Sequence, residues 1–277
     1  MEELKITTLS EDASHRCGLL AEHGLSLFIE YKGFKVLFDT GQGASVIANS
    51  RAINVDLREV NAIVLSHGHY DHTGGLYSVL RKIGSKEIFA HPDALKTKYK
   101  LMPKEGFRNS GAPASAQELT NIGARYKLSS KPTELVPGLI VTGEIPRVTD
   151  FETNNPLFYT EKNNDYLPDS MLDDQALVIS TGKGTVVITG CAHAGLINTL
   201  QYATELTNSN HIYAVIGGTH LFEADNEKLD KTIKAMQTFN IQKIAANHCT
   251  GFKAQMAFYQ AFGDKFVLNS TGDIIVI

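Results

Sequence analysis

The chain has 277 residues, 43% hydrophobic and 20% charged, with 23 glycines and 8 prolines, the composition of an ordinary globular protein and not of a disordered, collagenous or coiled-coil one. A formal net charge of -4 leaves no basic surplus for following a phosphate backbone, so nucleic acid is not an expected partner. No apolar run approaches the roughly 20 residues of a membrane span, so no membrane association is expected either.

The opening Met1-Glu2-Glu3-Leu4-Lys5-Ile6 has no basic stretch followed by an apolar one, which predicts a cytoplasmic protein without an export signal. Two runs rich in β-formers, Ser26 to Tyr31 and Phe34 to Phe38, flank Lys32-Gly33 and predict a tight hairpin. Further strands are expected at Ala62 to Leu65, Glu87 to Ala90, Ala176 to Ser180, Thr185 to Thr189, Ile212 to Ile216, Lys243 to Ala246 and Asp273 to Ile277. Apolar residues recurring at three and four predict helices over Leu76 to Ile83, Ala194 to Leu206, Asn226 to Phe239 and Lys253 to Phe262. Alternating strands and helices of this kind predict an α/β or mixed, layered architecture.

All 8 prolines lie between Pro92 and Pro168. The chain from about 96 to 174 therefore reads as a loop-rich insertion or an active-site lid, packed over one domain spanning 1–277 and outside its sheets. Lys96, Lys98, Lys100 and Arg108 fall together there, near Phe107, Phe151, Phe158, Tyr159 and Tyr166. A phosphate on a cation with a flat ring on an aromatic would suit a pterin or nucleotide-like ligand; the alternative is a solvated helix face and ordinary loop aromatics.

Chemistry concentrates in Ser66-His67-Gly68-His69-Tyr70-Asp71-His72-Thr73-Gly74-Gly75, directly after an expected strand. Imidazoles and carboxylates are the ligands of zinc, iron and manganese, and one short loop carrying several of them lowers the entropy of assembling a site. Residues two apart in extended chain point the same way, so His67 and His69 are candidates for one metal, with Asp71 and His72 turned toward a second. His193, His220 and His248 each follow an apolar strand and sit among small residues, and strand ends are where layered α/β folds build sites. His15, His23, His91 and His211 have no matching partner in sequence, and His23 is either a turn residue or part of the cleft rim.

The HxHxDH motif at His67 to His72, Asp39-Thr40-Gly41 closing an earlier strand and Asn247-His248 near the end resemble the metallo-β-lactamase-fold superfamily over nearly the whole chain. Within it, Glu22-His23-Gly24-Leu25, Gly190 to Gly195, Gly217 to His220 and Asn247 to Gly251 are similar to the 7,8-dihydropterin-6-methyl-4-(β-D-ribofuranosyl)aminobenzene-5'-phosphate synthase group. The resemblance implies an αββα sandwich with one or two divalent transition metals at the sheet edge, zinc first, iron or manganese as alternatives. It also implies His67, His69, Asp71, His72, His193 and His248 as ligands and Asp71 as the catalytic carboxylate.

Two departures shape the assignment. The mid-chain turn that carries a histidine in many superfamily hydrolases reads Thr142-Gly143-Glu144-Ile145-Pro146-Arg147, and the strand end that carries a bridging aspartate reads Gly190-Cys191 followed by His193. His193 is therefore assigned beside His67 and His69, Cys191 is a bridge or a near neighbour, and Asp39 orients an imidazole. His220 is a further ligand candidate.

A metal that lowers the pKa of bound water to near 7 supplies a nucleophile at neutral pH, so the leading expectation is a hydrolase of a phosphate-bearing or ester-like small molecule. The alternatives are a synthase-type transferase in which an aromatic carbon attacks a pterin methylene with loss of pyrophosphate, and a metal-containing ligand-binding protein without turnover.

Overall fold

The computed structural model describes residues 4–277. In chain order its strands are β1 (Leu4–Ser10), β2 (Ser26–Tyr31), β3 (Phe34–Phe38), β4 (Ala62–Val64), β5 (Lys86–Ala90), β6 (Lys98–Met102), β7 (Gly106–Asn109), β8 (Ala124–Leu128) and β9 (Thr133–Val136). They continue with β10 (Leu139–Val141), β11 (Phe158–Lys162), β12 (Asp165–Pro168), β13 (Ala176–Thr181), β14 (Gly184–Thr189), β15 (Ile212–Gly218), β16 (Lys243–Asn247) and β17 (Ile274–Val276). The α-helices are α1 (Val46–Ala52), α2 (Tyr70–Thr73), α3 (Leu76–Ile83), α4 (Ala116–Asn121), α5 (Leu196–Thr207), α6 (Asn226–Gln237) and α7 (Gly251–Phe262).

Two large sheets face each other. One has the order β17-β1-β2-β3-β4-β5-β8 and the other β16-β15-β14-β13-β10-β9. Because successive strand residues point to opposite faces, each strand feeds two cores. Val186 and Ile188 of β14 join Leu4, Ile6, Leu27, Ile29, Val36 and Phe38 between the sheets, whereas Val187 faces Leu200, Leu229 and Phe258 of the helices α5, α6 and α7. On the far side, Phe28, Leu37 and Ile63 pack against Val79 and Leu80 of α3 and Leu119 of α4. The result is the expected αββα sandwich.

The Lys32-Gly33 hairpin forms as expected, with φ of 49° and 81° at the two turn residues, the left-handed pair that matches strand twist. Strand β1 was not anticipated from the sequence, although it runs between β2 and β17 inside the first sheet. The middle of the chain differs most from expectation. Residues 96–174 are not a loop-rich cover outside the sheets: β8 extends the first sheet, β9 and β10 complete the second, and β12-β11-β6-β7 form a third sheet of four strands. Its prolines end strands and open turns, which is where strand geometry tolerates them. No helix among the described residues is long and apolar enough to cross a membrane.

The parallel parts of the two large sheets set the position of the chemistry. Strands β3, β4 and β5 run parallel in one sheet, and β14, β15 and β16 run parallel in the other. Their carboxyl ends meet at one edge, where Gln175 N donates to Ser66 O at 2.9 Å and the Gln175 amide donates to Leu65 O at 2.8 Å.

Candidate metal centre

Asp39 leaves the end of β3 with φ 59° and is fully buried. One of its oxygens accepts from Ser66 N at 2.7 Å; the other lies 2.6 Å from Ser66 Oγ and 2.7 Å from His72 Nδ1. This carboxylate fixes the loop after β4 and turns the His72 Nε2 away from itself, which is how a carboxylate orients a ligand imidazole. Ser66 Oγ also meets His67 Nδ1 at 2.9 Å, leaving the His67 Nε2 for the cluster.

There, His67 Nε2 and His69 Nδ1 are 2.9 Å apart, and the His193 ring lies 4.7 Å from His67 and 5.0 Å from His69, centroid to centroid. Alongside, His72 Nε2 is 3.2 Å from His248 Nε2 and 3.1 Å from Cys191 Sγ, while Asp71 Oδ2 is 3.4 Å from His248 Nε2 and 3.6 Å from His72 Nε2. Candidate ligand atoms thus form one group of Asp71, His72, Cys191 and His248, another of His67, Cys191 and His193, sharing Cys191, and a third of Asp12, His23 and His248; His69, expected as a ligand, is in none of them, although its Nδ1 faces His67. His220 stands beside them, its ring 4.3 Å from that of His193, and belongs to none of these groups.

The donor set fits a metal on two grounds. Nitrogen ligands about 2.0–2.1 Å from one tetrahedral ion lie about 3.3 Å from each other, close to the spacings just given. Moreover, the Nε2 of His193 is buried with no hydrogen-bond partner, an arrangement that costs free energy unless something else binds it. Burial and then the neighbouring imidazoles push His67 and His193 well below the usual histidine range, so these rings are neutral and their lone pairs are available. Burial alone would raise Asp71, but His72 and His248 outweigh it and hold the carboxyl well below its ordinary value. Strain gathers here too: Asp39, Ala192, His220 and His248 all have φ between 48° and 59°, a conformation non-glycine residues hold only when their surroundings enforce it.

Several supporting residues, Asp12, Asp173 and Asp174 among them, are not singled out by the sequence reading, which allows His23 either as a turn residue or as part of the cleft rim. Asp12 takes His248 Nδ1 at 2.7 Å and His23 Nδ1 at 2.8 Å, and His23 Nε2 reaches Asp71 Oδ2 at 3.4 Å, so His23 lies at the rim of the cluster. Asp173 accepts from Gly68 N at 2.8 Å and from the buried Lys98 Nζ at 2.8 Å. Asp174 accepts from Ala194 N at 2.8 Å. The mid-chain turn that lacks a histidine contributes Arg147, whose guanidinium donates to His193 O at 3.0 Å. A visible cue was the placement of acidic pairs against strands: Glu11-Asp12 directly follows β1, and Asp173-Asp174 shortly precedes β13.

The cluster forms the floor of a cavity of about 350 Å³ lined by His23, His69, Tyr70, Lys100, Arg108 and Phe158 among others. A second cavity of about 290 Å³ adjoins it, and the two share Phe158, His193 and His220.

Residues 20–156 match the model of the metallo-beta-lactamase superfamily. The chain is 35% identical over 285 residues to the 7,8-dihydropterin-6-methyl-4-(beta-D-ribofuranosyl)-aminobenzene-5'-phosphate synthase of Methanocaldococcus jannaschii, covering 99% of this chain and 97% of that one. It is 32% identical to a second protein of that organism, MJ0448, over 93% of this chain and 94% of the other. Among solved structures it is similar to Tm1679, described as a metal-dependent hydrolase of the beta-lactamase superfamily, with a TM-score of 0.85 and 30% identity over 99% of both chains. The αββα layers, the histidine-rich loop at their edge and near full-length similarity to these relatives lead to one conclusion: the chain belongs to the metallo-beta-lactamase superfamily.

Proposed function

We propose that the protein is a metal-dependent transferase joining a pterin-like ring, activated at a methylene carbon, to a phosphate-bearing aromatic partner, the kind of product for which its M. jannaschii relative is named. The observation that carries this reading is the meeting of two cavities at Phe158, His193 and His220. A joining reaction needs two reactants held side by side in reactive orientation, and two lobes with one shared wall suit it.

In this reading His67, His69 and His193 hold one ion and Asp71, His72 and His248 a second, with Cys191 between them. Divalent transition metals there, zinc by donor type and iron or manganese as alternatives, supply the positive charge that stabilises a departing pyrophosphate. The chain's own residues do the rest. Asp39 and Asp12 lock the His72 and His248 rings through Nδ1, and Phe158, its ring 4.8 Å from that of His69 and 5.2 Å from that of His193, excludes water from the meeting point. The aromatic amine nitrogen bonds to the methylene, the carbon–oxygen bond to pyrophosphate breaks with its electron pair, and the amine proton leaves to solvent by way of His23.

Hydrolysis of a phosphate-bearing or ester-like substrate is the second reading, supported by the similarity to a structure described as a metal-dependent hydrolase. The two separate in one experiment. Metal-loaded protein is incubated with a 6-hydroxymethyl-dihydropterin pyrophosphate and a ribofuranosylaminobenzene phosphate, and products are followed by mass spectrometry, with a phosphodiester and a lactone in parallel. The joined product is expected, and Asp71→Ala should lower its rate by at least about 100-fold while melting no lower than the chelated parent. Turnover of the phosphodiester or lactone with no joined product would overturn the transferase in favour of the hydrolase.

A further inference from the structure

The third sheet lies against the metal loop, tied to it by Tyr70 N donating to Ser110 O at 3.0 Å and by a bridge between His69 and Gly111. Its register puts Lys100 opposite both Arg108 of β7 and Phe158 of β11. Directly paired residues project from the same face of a sheet, so Arg108, Lys100 and Phe158 form one row across three strands. All three line the larger cavity above the histidines.

The charges in this row are unlike those beside it. Lys98, two residues from Lys100, is buried and neutralised by Asp169 and Asp173, each 2.8 Å from its Nζ. Neither Lys100 nor Arg108 has a carboxylate partner among the described residues. Lys100 Nζ lies 5.9 Å from the centre of the Phe158 ring, and Phe158 in turn touches His69 and His193. A second observation points to a ligand: Ser110, two residues beyond Arg108, lines the same cavity and has its Oγ buried without a partner.

We infer that Arg108, Lys100 and the Ser110 hydroxyl form a clamp for the phosphate monoester of an aromatic substrate whose ring lies against Phe158, a site distinct from the histidine cluster. The inference rests on the transferase reading for its place in a reaction, but not for the binding itself. Two cations and a hydroxyl match a dianionic phosphate, because hydrogen bonds to ionised groups are shorter and about twice as strong as neutral ones. A carboxylate ester or lactone would leave both cations without a counter-charge, so the clamp selects phosphomonoesters.

Calorimetric titration of phenyl phosphate into the metal-loaded protein tests this, with phenol as the uncharged probe. Lys100→Gln and Arg108→Gln are each expected to weaken phenyl phosphate binding about tenfold and the double variant further, while metal content and melting temperature stay unchanged. Phenol should bind weakly to all forms, and Lys104→Gln in the nearby turn should bind phenyl phosphate like the parent. The clamp is overturned if the double variant keeps the parent's affinity within about twofold, which would put the phosphate on the metals, or if Lys104→Gln weakens binding as much as Lys100→Gln, which would make it a diffuse surface attraction. Failure to form the joined product while these affinities behave as expected would reject the transferase and leave the clamp standing.

Discussion

Lys98 shows how a single residue far from the motif controls it. Its side chain is only 1% exposed and bonds both Asp169 and Asp173, and Asp173 holds the Gly68 amide between the two candidate ligands His67 and His69. Lys98→Met removes the charge and leaves two carboxylates to compete in a buried site, an uncompensated situation that costs about 3–5 kcal/mol. Urea denaturation should show that loss, and adding Asp173→Asn should recover part of it; a Lys98→Met protein as stable as the parent would mean the pair contributes nothing. Such residues explain the uneven legibility of the site. His67 to His72 could be read because the candidate ligands fall within six positions of one loop, whereas Lys98 looked like one more surface cation in a basic run. Its acidic partner Asp173 lies 75 positions away, and no local pattern records a contact of that range.

At the level of elements, helix α5 carries the clearest dependence on a distant partner. It begins after Gly195, whose φ of 103° suits glycine, and with no capping side chain of its own at that position. The free amides of its first turn are satisfied by Glu152, which accepts from Ile197 N at 2.8 Å and Asn198 N at 2.9 Å. The buried carboxylate also complements the positive end of the helix. Glu152→Ala should leave those amides buried and unpaired, lowering stability by about 2–4 kcal/mol and loosening the turn that carries His193; a change under about 0.5 kcal/mol in urea denaturation would show that water replaces the carboxylate freely. The helix itself was readable from its apolar period, to within two residues at its start and one at its end. Its cap was not, because Glu152 sits in the proline-rich middle. That same stretch concealed β6, β7, β11 and β12: short strands broken by prolines and asparagines, paired mainly with each other, show neither the long alternation nor the continuous apolar run by which strands are recognised.

For the whole molecule, the site is a property of two facing sheets whose strand ends meet at one edge of the sandwich. Gly190 stands where they approach, and a methyl group on it would come within 2.1 Å of Ser66 Oγ; one on Gly218, its neighbour in the same sheet, would come within 2.3 Å of Gly190 O. Candidate ligands come from the ends of β4, β14 and β16 and from α2, so each ion they hold links both halves of the sandwich and is not bound by the unfolded chain. Binding only to the folded state stabilises it by about 4 kcal/mol when free metal exceeds its dissociation constant a thousandfold. For a chain of this size each kcal/mol moves the melting temperature by about 2–4 °C, so chelation should lower it by roughly 8–16 °C, and added zinc should restore it. His193→Ala separates the two groups: it should reduce bound metal by about one equivalent while Asp71, His72 and His248 retain the other. The metal assignment fails if the parent binds less than about half an equivalent after zinc is supplied and melts within about 2 °C of its chelated form. It is the threading of His193, and not the metal itself, that fails if His193→Ala keeps the full metal complement.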